Sequence, residues 1–274
     1  MRTSSPFREQ AGNFNSEEKS TRGHDHSHSR GKITIVGLGP GDPGYLTIRA
    51  KEAIEEAEII IGYKTYMNLV KPLLKEQQVE ESGMRKEVER GIRAIELAAA
   101  GHNVAVISSG DPGIYGMAGV ILGILEQREW KDQVEVEVVP GVSAANAAAS
   151  VVGAPLMHDS VFISLSNLLT PWELIEKRLA LASEGDFVIA LYNPKSMGRP
   201  DLINKAQEII LQHRKAETPV AIVRNARREG ESFVLSTLGD FTKEHIDMFT
   251  VVIIGNSQSY IANNYLITPR GYNL

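Results

Sequence analysis

From Gly31 onward the chain alternates short, β-branched apolar runs with longer stretches of helical periodicity. That alternation restricts its fold more than any single motif does. KITIVGL, EIIIGY, NVAVISS and VEVEVVP have strand character, and TIRAKEAIEEA, EVERGIRAIELAAAG and IYGMAGVILGILEQ between them read as helices. Strands alternating with helices of this length predict a mostly parallel sheet covered by helices. The small-residue helix SAANAAASVVG is followed by the strand SVFISLS and the helix TPWELIEKRLALA, in which Thr170, Pro171 and Glu173 have the residue types of an N-cap, a first-turn proline and a capping-box acid. DFVIALYNP (strand) and DLINKAQEIILQHR (helix) come next. Three strand-type runs in succession, PVAIVRNARREGE, SFVLSTLGDF and FTVVIIGNS, then predict a second α/β unit with antiparallel strands. A Gly and a Pro interrupt the pattern at GAPLMHDS, residues 153–160, which divides the chain into an N-terminal α/β domain over 31–155 and a C-terminal one over 156–274.

Residues 1–30 are polar, aperiodic and end in HDHSHSR, the composition of a disordered tail. His24, His26 and His28 offer metal donors, but alternating histidines on such a segment must be ordered by the metal itself and show no second-shell support. No apolar run reaches the roughly 18 residues of a bilayer span, and no apolar core marks a signal peptide at the start. Cysteine is absent and the net charge is −5, so neither a disulfide framework nor a nucleic-acid partner is expected, and the cytoplasm is the expected location.

The stretch VGLGPGDPGYLT after the first strand has the look of a phosphate loop. Gly37 and Gly39 fit the order G-x-G-x-x-G, but Asp42 stands where the third glycine belongs, and a carboxylate there repels pyrophosphate. The lysine of a P-loop is missing too. GDPG occurs twice, at 41–44 and 110–113, each time just beyond a strand, which predicts two similar loops at the same edge of one sheet. Asp111 in the second loop either caps the following helix or meets a ligand with ribose hydroxyls or an ammonium group, in the crevice where open α/β sheets bind ligands. At a third strand end, VVPGVSAANAAAS, Ser143 is placed to cap its helix, and the small side chains leave room for a flat ligand.

Taken together, GLGPGDPGYLT, SSGDPGIYGMA, VVPGVSAANAAAS with GAPL, LYNP and VRNARREGE resemble the tetrapyrrole methyltransferases, enzymes that use S-adenosylmethionine to decorate corrin and sirohaem precursors; the match runs from residue 32 to about 272. DFVIALYNPKS, TPVAIVRNARREGE and VVIIGNSQSYIANNYLITPRGY are similar to the branch that methylates carbon 17 of precorrin-3B or cobalt-factor III with ring contraction, in cobalamin biosynthesis. The resemblance implies two α/β domains with the cofactor cleft between them, a homodimer, and a tetrapyrrole substrate with or without cobalt. Carried over by position, the cofactor contacts are Pro40, Gly110, Asp111, Ile114, Tyr115, Ser143 and Ala144, then Tyr192, Asn193, Asn225, Ala226, Arg227 and Thr250. Lys64, Arg85, Lys195, Arg199 and Arg228 are candidates for the substrate's carboxylates, which favour charge-assisted hydrogen bonds. The family's basic run after LYNP is interrupted here, as KSMGRPD. Ring contraction also needs an acid or base. Asp42 is the candidate, with a purely structural part in its glycine turn as the other reading. Methylation of another ring carbon, action on the diphthamide precursor, and non-catalytic binding of a metallated tetrapyrrole are the alternatives. The terminal ITPRGY and the segment RNARREGE argue against the first two.

Overall fold

The structure, a computed structural model, describes residues 30–273 apart from 129, 131 and 197. The histidines at 24, 26 and 28 and the rest of the proposed tail before residue 30 lie outside the described residues. No helix among the described residues is long and apolar enough to cross a membrane.

The first sheet comprises β1 (Lys32–Gly37), β2 (Ile59–Tyr63), β3 (Gln78–Ser82), β4 (Asn103–Ser108) and β5 (Glu135–Val139), all parallel, in the order β3-β2-β4-β1-β5. Between them run α1 (Ile48–Glu56), α2 (Lys64–Val70), α3 (Glu87–Ala99) and α4 (Met117–Gln127). Side chains alternate across a strand, so each face of the sheet builds its own core. Ile33, Ile35, Ile59, Ile61, Val104 and Val106 pack with Ala94, Ile95 and Ala98 of α3 and Ile121 of α4. Val36, Ile60, Ala105 and Ile107 pack on the opposite side with Ala50 and Ile54 of α1 and Met67 of α2. This double burial explains why the strands read as continuous apolar runs.

The chain continues through α5 (Ala144–Val152), β6 (Gly153–Ala154), β7 (Ser160–Ser164), α6 (Trp172–Glu184), β8 (Val188–Tyr192), α7 (Leu202–Leu211), β9 (Pro219–Arg224), β10 (Ser232–Thr237), β11 (Thr250–Ile254), β12 (Tyr260–Ala262) and β13 (Tyr265–Ile267). The second sheet has the order β10-β9-β11-β8-β7, with β7 and β8 parallel and the other pairs antiparallel, as the run of consecutive strands predicts. Helices α6 and α7 cover one of its faces. Ala145, Ala148, Ala149 and Val152 of α5 cover the other, against Val188, Ala190, Ala221, Val223 and Ile253. The alanines of α5 therefore bring helix and sheet close together.

Several elements depart from the sequence reading. Helix α6 begins at Trp172 with Pro171 as its cap residue, in extended backbone, and no side chain caps it. Thr170 therefore stands one residue too far out to serve. Helix α4 begins at Met117 rather than Ile114, because the segment before it remains a loop at the sheet edge. Helix α2, β3 and the small sheet β12-β13-β6 carry little apolar periodicity and are not apparent in the sequence. The last of these gives the terminal motif a place: β13 pairs with Gly153 and Ala154, and Thr268, fully buried, donates its backbone N–H to the Ala154 carbonyl.

The two GDPG loops do lie side by side, beyond adjacent strands β1 and β4. Gly39 and Gly110, at φ +65° and +67°, exchange both backbone hydrogen bonds at 3.1 and 2.8 Å. In each loop the aspartate accepts from the glycine two residues on: Asp42 from Gly44 at 2.7 Å, Asp111 from Gly113 at 2.8 Å. The end of β5 joins them at Gly141. A Cβ on Gly37 would stand 2.6 Å from the Gly141 nitrogen, and one on Gly141 would overlap the carbonyl oxygen of Gly110.

Gly141→Ala forces backbone apart at this junction and should destabilise the protein by about 3 kcal/mol, the upper range for overpacking; an unchanged urea midpoint would refute the contact. Glu137 on β5 accepts a bidentate pair from Arg49 at 2.8 Å and a bond from Lys32 at 2.7 Å, which together hold its carboxyl at about 2. Its folded value lies below an unfolded value of roughly 4.3. The stabilisation is therefore complete above that value and disappears as pH falls through 2. Wild type should exceed Glu137→Gln by about 1 kcal/mol at pH 7, given partial exposure, and the two should converge near pH 2 in urea titrations.

Candidate functional site

The carboxyl ends of the first sheet's strands face the second sheet across a cleft of about 310 Å³. Pro40 follows β1, Tyr63 and Tyr66 follow from β2, Met84 lies beyond β3, Ser109 to Tyr115 follow β4, and Ser143 and Ala144 follow β5. From the second sheet come Tyr192 and Asn193 at the end of β8, Asn225 and Ala226 at the end of β9, and Phe249 and Thr250 at the start of the antiparallel β11. Given the strand order, Met84, Tyr63 and Tyr66 occupy one end of the cleft and Ser143 and Ala144 the other.

Backbone geometry concentrates here. Tyr115, Asn193 and Asn225 have φ values of 53°, 51° and 50°, and Arg85 and Arg227, beside lining residues, are also left-handed. Asparagine tolerates that region, but a tyrosine or arginine adopts it at a cost of order 1–3 kcal/mol, which only surrounding contacts can hold. For Tyr115 those contacts are visible. Its hydroxyl donates to the Phe162 carbonyl at 3.0 Å and accepts from the Ser164 N–H at 3.1 Å, which closes one position on the open edge of β7. Its ring lies 5.3 Å from that of Tyr192. Burial pushes both phenols above their ordinary value. The Tyr192 hydroxyl accepts from the Ala145 N–H at 3.0 Å, and Ser143 caps the same helix by accepting from Asn146 at 3.2 Å.

Asp111 is not a helix cap. One carboxylate oxygen closes the GDPG turn, and the other accepts from the Gly141 N–H at 3.2 Å, so it ties the ends of β4 and β5 together on the cleft floor. Asn193 donates to Ser164 Oγ at 3.0 Å. The buried Thr250 donates its hydroxyl to Asp247 at 3.0 Å. Burial pushes the Asp247 carboxyl up, but hydrogen bonds from Arg224, the Phe249 N–H and Thr250 outweigh it and leave the value lowered.

Two neighbouring arginines reach back from the second sheet. Arg228 donates Nε to the Pro40 carbonyl and Nη2 to Ser109 Oγ at 2.8 Å, so it spans the cleft and holds the β1 and β4 loops. Desolvation lowers its pKa. Arg227 turns the other way: it donates to Ser150 Oγ and O at 3.1 and 2.8 Å, and its guanidinium lies 5.6 Å from the Tyr45 ring centroid.

All the cofactor positions inferred from the resemblance therefore line this cleft except Arg227, whose side chain clamps α5. Of the basic candidates, Arg228 lines it. Lys64 and Arg85 are exposed next to lining residues. Lys195 and Arg199 lie after β8, outside the lining set, with Arg199 bonded to Ser196. Asp42 is not in the cleft either. It is exposed, caps the turn Pro43–Tyr45, and borders a separate small hollow with Leu69 and Leu73. Sequence reasoning passed over Tyr63, Thr65, Tyr66, Met84 and Ser109. The signal available was GYKTY running out of the end of β2, where two tyrosines three apart follow a glycine at a strand's carboxyl end.

Comparison with known proteins agrees with this geometry. The family model described as Tetrapyrrole (Corrin/Porphyrin) Methylases matches residues 32–242. A Salmonella typhimurium protein named probable cobalt-factor III C(17)-methyltransferase is 50% identical over 242 residues, 88% of this chain and 100% of that one. A Priestia megaterium protein named cobalt-factor III methyltransferase is also 50% identical over 245 residues, 89% of this chain, but the chain spans only 45% of its length. The crystal structure of the methyltransferase CobJ superposes with a TM-score of 0.84 at 36% identity, covering 87% of this chain and 100% of that one. The chain belongs to the tetrapyrrole (corrin/porphyrin) methylase family.

Proposed function

We infer that this protein transfers a methyl group from S-adenosylmethionine to carbon 17 of a tetrapyrrole of the precorrin-3B or cobalt-factor III type, with ring contraction, in cobalamin biosynthesis. The observation that carries this reading is convergence. Residues far apart in sequence, from Pro40 to Thr250, line one cleft between two sheets, in the family and beside the relatives that bear these names.

The cleft suits S-adenosylmethionine chemically. Its volume falls in the range of small-molecule sites. Gly110, Ala144, Ala147 and Ala226 make a wall of backbone and methyl groups for a flat base. Asp111 retains acceptor capacity beyond its two backbone donors and suits hydroxyls or an ammonium group. When bound, the sulfonium supplies an activated methyl group. The protein's part is to hold the two reactants in line and exclude water, which can supply several kcal/mol without a strong acid or base. Asp111, Asn193 and Asn225, fixed by their own hydrogen bonds, provide the polar anchors. The tetrapyrrole would lie toward Tyr63, Tyr66 and Met84, at the far end of the strand order from Ser143. The same reading includes a homodimer and a cytoplasmic location.

Two measurements test it. The purified protein should bind S-adenosylmethionine with micromolar-scale affinity in calorimetry, and Ala144→Leu, which fills the cleft wall, should weaken binding at least about tenfold with an unchanged melting midpoint. Incubation with labelled S-adenosylmethionine and cobalt-factor III or precorrin-3B should give a product one methyl group heavier. Failure with both rings would overturn the reading.

A further inference from the structure

Two arginines, Arg228 in the cleft lining and Arg90 bonded at the end of β3, pair with no carboxylate among the described residues. Arg90, only 5% exposed, donates to Ser82 Oγ at 2.8 Å, the Gly83 carbonyl at 3.2 Å and Met117 Sδ at 3.4 Å, all neutral acceptors. Arg228 is likewise bonded only to a carbonyl and a hydroxyl. Neither makes an ion pair among the described residues, although the chain has 34 acidic side chains and a net charge of −5. Glu87, the carboxylate that acts on Arg90 through space, is exposed and forms no bond with it. Taking a guanidinium out of water without a counter-charge is costly.

Tyr66 shares the cleft lining with Arg228. It is half-buried, lines the cleft, and its ring meets Tyr63 edge-on at 5.2 Å. Tyr115 and Tyr192 commit their hydroxyls to backbone groups; the Tyr66 hydroxyl bonds to no described residue. Burial raises its pKa, with Arg228 and Arg90 opposing, so the phenol remains a donor at neutral pH. A free donor in the same cleft lining as Arg228, which pairs with no carboxylate, fits an anion carried by the ligand.

We propose that Tyr66 is a specificity-determining residue whose hydroxyl donates to a side-chain carboxylate of the ring substrate, in a cleft that Arg228 also lines. The proposal rests on the methyltransferase reading and deepens it. Removing the hydroxyl as Tyr66→Phe should raise KM for cobalt-factor III about tenfold, the loss expected for one hydrogen bond to a charged partner. The turnover number should stay within about threefold, and S-adenosylmethionine affinity and the melting midpoint should not change. With the ring's peripheral carboxylates converted to methyl esters, wild type and Tyr66→Phe should bind the ring equally, read by absorbance titration. An unchanged KM in Tyr66→Phe, or an equal penalty on the ester, overturns the proposal. Failure of the underlying reading is distinct, since wild type would then bind no S-adenosylmethionine.

Discussion

The close approach of Gly37, Gly110 and Gly141 is the constraint on which the rest of the site depends. Three parallel strands ending side by side would ordinarily splay their loops apart, because each following residue carries a Cβ. Here the absence of Cβ atoms lets the backbones touch, and the Asp111 carboxylate then bonds across the contact to the Gly141 N–H. The result is a floor made of main chain, low enough for a ligand to lie on. Widening any of the three contacts would lift the β4 loop, with Asp111 and Tyr115 on it, and move α5 at its N-terminus.

Helix α5 transmits that floor to the second sheet. It begins at the end of β5, where Ser143 caps it and Tyr192 accepts from its free Ala145 N–H, and its alanine face packs on β8, β9 and β11. Three side chains bridge in addition: Tyr115 to the edge of β7, Arg228 to Pro40 and Ser109, and Arg227 to Ser150 beside Tyr45. These bonds enclose the cleft from opposite sides. Its width is therefore set by side chains of defined reach rather than by a broad apolar interface. Motion of one sheet against the other would have to break several of them together.

Much of this architecture could be read from the sequence because doubly buried strands leave an unmistakable apolar signature, and because capping and turn chemistry are local. Ile33 to Gly37 and Val104 to Ser108 are buried throughout, and they read as strands without ambiguity. QVEES on β3 is an exposed edge strand with no such signature, and KTYMNLV is too short to show a helical period. Both contribute to the tyrosine end of the cleft, so that end was the less legible. The failure of Thr170 as a cap has a different cause. Residue types at the right spacing say nothing of whether Pro171 lies inside the helix or just before it, and here it lies before.

The two GDPG loops show where a motif stops being informative. Both fold into the same aspartate turn, although the sequence reading assigns Asp111 to the cofactor crevice and Asp42 to acid or base chemistry. What separates them is the neighbour. Beside Asp111 runs the end of β5, whose Gly141 N–H takes the second carboxylate oxygen and fixes it on the cleft floor. Asp42 has no comparable partner, because Gly41 turns at φ +129° against the Arg228 side chain and carries the loop tip out toward Leu69 and Leu73. The contribution of the first loop to the cleft is thus its backbone, the Pro40 carbonyl that Arg228 holds. Of the two GDPG carboxylates, therefore, only that of Asp111 lines the cleft, while Arg228 in the same lining bonds to a carbonyl and a hydroxyl.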